Sequence, residues 1–159
     1  MFDDTDARIM TIVQADGRAT NAEIARQVGM APSAIHERLR KLEARGVIQG
    51  YEARICPAAL GLGLTAFVFV RADESLGQQQ VGRQLAALPE VQEVHHVAGE
   101  DCYLAKVRVA DPAALGRLLR EKFGAIEAIR STRSTIVLTT LKETAQIPLP
   151  PFALEDTGD

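Results

Sequence analysis

Residues 20–46 read TNAEIARQVGMAPSAIHERLRKLEARG. Thr20 is a natural helix N-cap, and Glu23 three positions on completes a capping box, with Ala19 and Ile24 placed to staple it. Ile24, Ala25 and Val28 fall on one helical face, and Gly29 supplies the left-handed residue that ends the helix. Pro32 suits the first position of a second helix, whose buried stripe is Ile35, Leu39 and Leu42 and whose stop is Gly46. Two short helices about a glycine turn are the elements of a helix-turn-helix.

The apolar stripe of the second helix is narrow, which leaves a broad polar face of Ser33, Glu37, Arg40, Lys41 and Ala44, flanked by His36 and Arg38. A lone amphipathic helix of this kind is usually just a solvated surface. The capped helix and turn ahead of it favour insertion into a DNA groove instead. Between Pro32 and Gly46 four cations oppose two carboxylates, although the chain as a whole carries a formal charge of −3. The positive charge is therefore a local patch and not a general nucleic-acid coat.

A chain of 159 residues, 47% of them hydrophobic, accommodates one ordinary domain or two small ones. Asp3, Asp4 and Asp6 stand where a secretion signal needs basic residues, and no apolar run reaches membrane-spanning length. With only Cys56 and Cys102, far apart, the expectation is a cytoplasmic protein with reduced thiols.

Phe2 to Gln14 reads as a first helix capped by Asp3, with Ile9, Ile12 and Val13 as the stripe that completes a three-helix core. Residues 1–50 thus form the helix-turn-helix domain. Residues 51–63 are either a small two-stranded wing or a plain linker ending in the Gly-rich PAALGLG. From 64 to 145 the rhythm changes. Leu64 to Ala72 is a strand with both faces apolar, Leu76 to Leu88 a helix, and Pro89 to Val97 a second strand. Ala98-Gly99-Glu100-Asp101 turns a hairpin into a third strand, Cys102 to Val109. Asp111-Pro112 starts a second helix, and a last extended run spans 126–142. Strand, helix, strand, strand, helix, strand is the split βαβ, ferredoxin-like order, and the whole chain is α+β. Phe67, Phe69 and Ile136 cannot all be covered on one face of a monomer, so a dimer is expected. Residues 146–159 form a Pro-rich, acidic tail read as mobile, with docking of Phe152 and Leu154 on a neighbour as the alternative.

In this order, FDDTDARIMTIVQADGRATNAEIARQVG, PSAIHERLRKLEARGVIQGY, AGEDCYLAKVRV and STRSTIVLTTLKE resemble the leucine-responsive regulatory protein and asparagine-synthetase-activator (Lrp/AsnC) family of transcription regulators. The resemblance covers about Phe2 to Glu143. It implies a winged helix-turn-helix domain joined to a ferredoxin-like effector domain, homodimers assembling further to octamers, and a small amino acid as effector. Two departures stand out. Ala31 replaces the serine that many members place before the recognition-helix proline, which removes a capping hydroxyl worth about 1 kcal/mol. Cys102 stands where the leucine-responsive branch carries an aspartate, which argues against leucine as effector.

Direct readout needs donors and acceptors that reach base edges, and Ser33, His36, Glu37 and Arg40 are placed for it. Arg38, Lys41 and the helix start at Thr20 and Asn21 are the expected phosphate contacts, and a dimer would read a degenerate palindrome. Following the resemblance, the effector contacts are expected at Val97, Ala98, Gly99, Glu100, Asp101 and Cys102, together with Thr135, Ile136 and Val137. There, N–H groups around Gly99 would hold an α-carboxylate and Glu100 or Asp101 an α-ammonium. His95 and His96 face opposite sides of a strand and cannot share one ion. No catalytic set, metal site or cofactor is expected. The rival readings are a DNA-wrapping architectural protein and a haem-pathway decarboxylase of the same two-domain layout. The basic recognition helix and the GED hairpin speak against the decarboxylase.

Overall fold

The computed structural model describes residues 2–75 and 77–149. They form two compact units, 2–54 with 143–149, and the described part of 55–142.

In the first unit, helices α1 (Asp4–Ala15), α2 (Asn21–Val28) and α3 (Pro32–Ala44) enclose a core of Ile9, Met10, Ile24, Ala25, Ile35 and Leu42. Each start is chemically specified. Asp3 and Asp6 form one capping box, Thr20 and Glu23 another, and α3 begins with Pro32 behind an Ala31 that makes no side-chain cap. Gly29, at φ 77°, closes α2 in the left-handed region where a side chain would be strained. Ala19 joins the same core as Ile24, as the staple requires. Residues 47–56 contain no strand in this chain. Its Tyr51 packs over Gly17 and donates to the Glu43 carboxylate at 3.0 Å, which fastens the segment to the helices.

The second unit is an antiparallel sheet of β1 (Leu64–Ala72), β2 (Val91–His96), β3 (Tyr103–Val109) and β4 (Ile129–Ile136) in the order β2-β3-β1-β4. Two helices, α4 (Gln80–Ala86) and α5 (Pro112–Leu118), complete it. This is the ferredoxin-like arrangement. Ala66, Val68, Val70, Ala105, Val107 and Val109 line the covered face and meet Val81, Leu85, Leu115, Leu118 and Phe123. After Leu118 the chain makes one π turn, Leu119–Phe123, closed by the Gly124 N–H onto the Leu119 carbonyl at 2.9 Å. Pairing slips between Val91 and Glu93 on β2 and between Arg71 and Ala72 on β1.

Four expectations change. The two faces of β1 are unequal: Val68 and Val70 are fully buried, whereas Phe67 and Phe69 are half-buried. As expected, Phe67, Phe69 and Ile136 do not share one face: Ile136 lies opposite Ala66 and is itself 42% exposed, while Phe67 and Phe69 share the other side with Thr135 and Arg133. The first sheet helix starts at Gln80, because the Glu74 carboxylate accepts from the Gln80 and Val81 N–H groups and so sets its first turn; Leu76, its expected start, lies outside the described residues. The last strand ends at Ile136, and residues 138–142 are exposed coil. The start of the tail is also not loose: Leu149 packs against the helical core, and Gln146 and Ile147 bond to Gln14. Phe152 and Leu154 lie outside the described residues.

Candidate DNA-reading surface and effector hairpin

Ile35 and Leu42 anchor α3 in the core, which turns Ser33, His36, Arg40 and Lys41 to solvent and leaves Glu37 partly exposed. Glu37 grips Arg40 with both oxygens, at 3.1 Å to Nε and 2.9 Å to the guanidinium terminus, and stands 3.7 Å from Lys41. The Arg40 hydrogen bond holds the Glu37 carboxyl below its ordinary pKa and raises Arg40 in turn. The group able to read guanine and the group able to accept from cytosine are thus paired in the free protein.

Arg38 points elsewhere. Its guanidinium donates to Asp6 at 2.7 Å and to Asp3 at 2.8 Å, tying α3 to the first turn of α1, and these bonds raise its pKa. Expected on the phosphates, it serves in this structure as a bridge between helices. Thr20 is likewise occupied: its N–H and hydroxyl both donate to Glu23, at 2.7 and 2.8 Å. Asn21, half-buried, lines a shallow groove of about 240 Å³ with His36, Arg40, Glu43 and Tyr51. At the far end of α3 the Arg45 guanidinium stacks 4.3 Å above the Phe2 ring.

The hairpin between β2 and β3 is closed by the Val97 N–H on the Cys102 carbonyl at 3.0 Å, with Gly99 at φ 137°. Ala98, Gly99 and Glu100 are exposed; Val97, Asp101 and Cys102 are half-buried. The base of the hairpin is tightly pinned. The Cys102 N–H donates to the Val70 carbonyl at 2.9 Å, and its Sγ lies 3.3 Å from the Ala72 carbonyl. Next along, Tyr103 is 2% exposed; its hydroxyl donates to Glu74, and its ring fills the space over Gly82. Burial, reinforced by the Glu74 charge, pushes the Tyr103 hydroxyl up to about 12. Burial opposes ionisation of Glu74, but the Tyr103 and backbone donors outweigh it and hold that carboxyl low.

The two expected effector segments do not meet within one chain. The hairpin adjoins β1 at Val70, whereas Ile136 pairs with Ala66, four residues or about 13 Å along the strand. Thr135, Ile136 and Val137 therefore lie at the other end of the sheet. The β4 residue that reaches the hairpin is Arg133, whose guanidinium sits 3.3 Å from Asp101 and stacks 4.0 Å above Phe69. Nothing in the alternation of β4 marks Arg133 from the sequence, since the register that brings it there is long-range. His95 contacts Glu93 at 3.4 Å, and His96 stacks on Tyr103 with centroids 5.2 Å apart, on opposite faces. Among the described residues no cluster of metal-ligating side chains occurs, and no helix is long and apolar enough to cross a membrane.

Comparison with known proteins adds the following. Residues 2–49 match the winged helix-turn-helix DNA-binding family model, and residues 65–147 match the Lrp/AsnC ligand binding domain. The HTH-type transcriptional regulator LrpA of Mycobacterium tuberculosis is 42% identical over 139 residues, 87% of this chain and 91% of that protein. The HTH-type transcriptional regulator FL11 of Pyrococcus horikoshii is 37% identical over 148 residues, 93% of this chain and 97% of that one. Among solved structures, a transcriptional regulator of Neisseria meningitidis in complex with L-methionine superposes with a TM-score of 0.88 at 28% identity, covering 93% of this chain and 97% of that one. The feast or famine regulatory protein of M. tuberculosis complexed with L-methionine gives 0.85 at 40% identity, covering 92% and 99%.

Proposed function

Because the chain belongs to the Lrp/AsnC family of DNA-binding transcriptional regulators, we propose a division of labour between its two halves. The helical half reads duplex DNA through α3, with Ser33, His36, Glu37 and Arg40 at base edges and Lys41 and the α2 start at Thr20 and Asn21 near phosphates. The carrying observation is the outward polar face of α3 over its buried Ile35 and Leu42. Arg38 we assign to holding α3 on α1. The sheet half binds a small amino acid at the hairpin Val97–Cys102, with Arg133 and Asp101 as its nearest charged pair. The half-buried Phe67 and Phe69 side of the sheet supports pairing of two copies, further assembly to an octamer, and hence a degenerate palindrome as target. This is a cytoplasmic regulator and not an enzyme.

Arg40→Ala tests the readout: binding to the duplex upstream of its own gene should fall more than binding to random duplex. Equal loss on both would make Arg40 a phosphate contact and favour the architectural reading. Calorimetry of the full chain against the twenty common amino acids, L-methionine first, tests the effector half; silence from all twenty would sink it.

A further inference from the structure

The helical unit is not continuous in sequence. Residues 1–54 are joined in it by the segment beginning at Glu143, so the chain crosses from unit to unit twice. The returning segment is seated by named bonds. Arg54 donates to the Glu143 carbonyl at 2.9 Å. The Gln14 side chain pairs with the Ile147 backbone, accepting its N–H at 2.8 Å and donating to its carbonyl at 3.3 Å. Gln146 Nε2 donates to the Gln14 carbonyl at 2.9 Å. That carbonyl belongs to the last turn of α1, where no intrahelical donor remains, so Gln146 acts as the missing cap. Leu149 then packs on the core formed by Ile9, Ile24 and Ile35. Just before this seat, Leu138 and Leu141 are 95% and 94% exposed, so the segment that crosses carries no anchor of its own.

Helix α1 is therefore gripped at both ends. The returning segment holds Gln14, and Arg38 of the recognition helix holds Asp3 and Asp6. We propose that residues 143–149 form a return strap whose seating on Gln14 fixes α1, and through the Arg38 bridge fixes α3, in the arrangement that binds DNA. The strap follows β4 after the exposed coil at 138–142, so it is a second covalent connection from the sheet half to the DNA-reading half besides the 55–63 linker. Gln14 is on this account a positioning residue. The proposal rests on α3 being the DNA-reading helix.

Coupling of this kind is reciprocal. If the strap favours DNA binding, DNA must favour the seated strap. The experiment uses the full chain, Gln14→Met, which keeps bulk but not pairing, and Leu149→Ala, which spares the hydrogen bonds. Affinity for the duplex upstream of its own gene is titrated at several salt concentrations, and amide exchange at Ile147 is followed with and without that duplex. Both variants are expected to keep the helical signal and weaken DNA binding about fivefold, Gln14→Met through the loss of one or two net hydrogen bonds and Leu149→Ala through the loss of its packing on the helical core. The salt slope should be unchanged, because no phosphate contact is lost. In the unsubstituted chain DNA should slow exchange at Ile147. Unaltered affinity in both variants, or exchange at Ile147 indifferent to DNA, overturns the strap. A fall in the salt slope overturns it too, by showing that Gln14 acts on phosphate contacts. If the full chain binds no duplex, the readout assignment fails first, which is a different result from variants that bind as the full chain does.

Discussion

The helical unit and the sheet unit are stabilised by different means. The first buries six core residues among its described positions, and the starts of α1 and α2 are set by carboxylates and hydroxyls within three residues of each other. The second buries twelve, and its order comes from ladders joining residues tens of positions apart. Local chemistry suffices to build a small reading head. A sheet needs long-range register, and in return carries the larger core.

The strongest test of this contrast is a matched pair of cavities. Leu42→Ala and Leu85→Ala each empty a site of 2% exposure or less, at a cost of about 2–5 kcal/mol. With half the core, the helical unit should lose its fold and its DNA binding with Leu42→Ala, whereas Leu85→Ala should lower the melting temperature and leave DNA binding measurable. The contrast breaks if Leu85→Ala abolishes DNA binding and Leu42→Ala does not, by anisotropy titration.

Gly82→Ala sharpens the sheet side. A Cβ there would stand 2.7 Å from the Tyr103 ring. Overpacking costs about 1–3 kcal/mol and helix propensity returns about 1, so a net loss of about 1 kcal/mol is expected in urea melts. Gly82→Ala with Tyr103→Leu should recover it. Ala31→Ser addresses the helical side, by supplying the cap hydroxyl that α3 lacks; a gain of about 1 kcal/mol confined to the helical unit is expected. No gain would mean that Pro32 already sets that turn.

Acid should give the smallest difference. At Glu23 the Thr20 donors, backbone first, hold the carboxyl low. At Asp3 burial pushes up but the Asp6 N–H and Arg38 prevail. A carboxyl with its folded value depressed adds stability above its unfolded pKa and loses it as pH falls through the folded one. Below about pH 4, helix circular dichroism should therefore fade before strand amides lose protection, because caps are a larger share of what holds the smaller unit.

The same contrast explains what could be read in advance. Asp3, Thr20, Gly29 and Pro32 act within a few residues, and each does in the structure what its neighbours imply. The strand, helix, strand, strand, helix, strand order was equally legible from periodicity. What stays hidden is long-range. Nothing near Arg38 in the sequence says that Asp3, thirty-five residues back, will meet it. The resemblance groups Thr135–Val137 with the hairpin, but alternation gives faces and not register, so the sequence does not show that Arg133 is the β4 residue beside the hairpin within one chain. The tail was read as loose on composition, which carries no information about Gln14.

The strand order β2-β3-β1-β4 leaves two rims on the sheet, and an unguarded rim templates the addition of foreign strands. Both are guarded here. β2 breaks its own regularity at the slip beside Gln92, and β4 sets Arg130 and Arg133 along its length. A foreign strand that approaches either rim therefore meets a broken ladder or a row of guanidinium charge in place of a flat template.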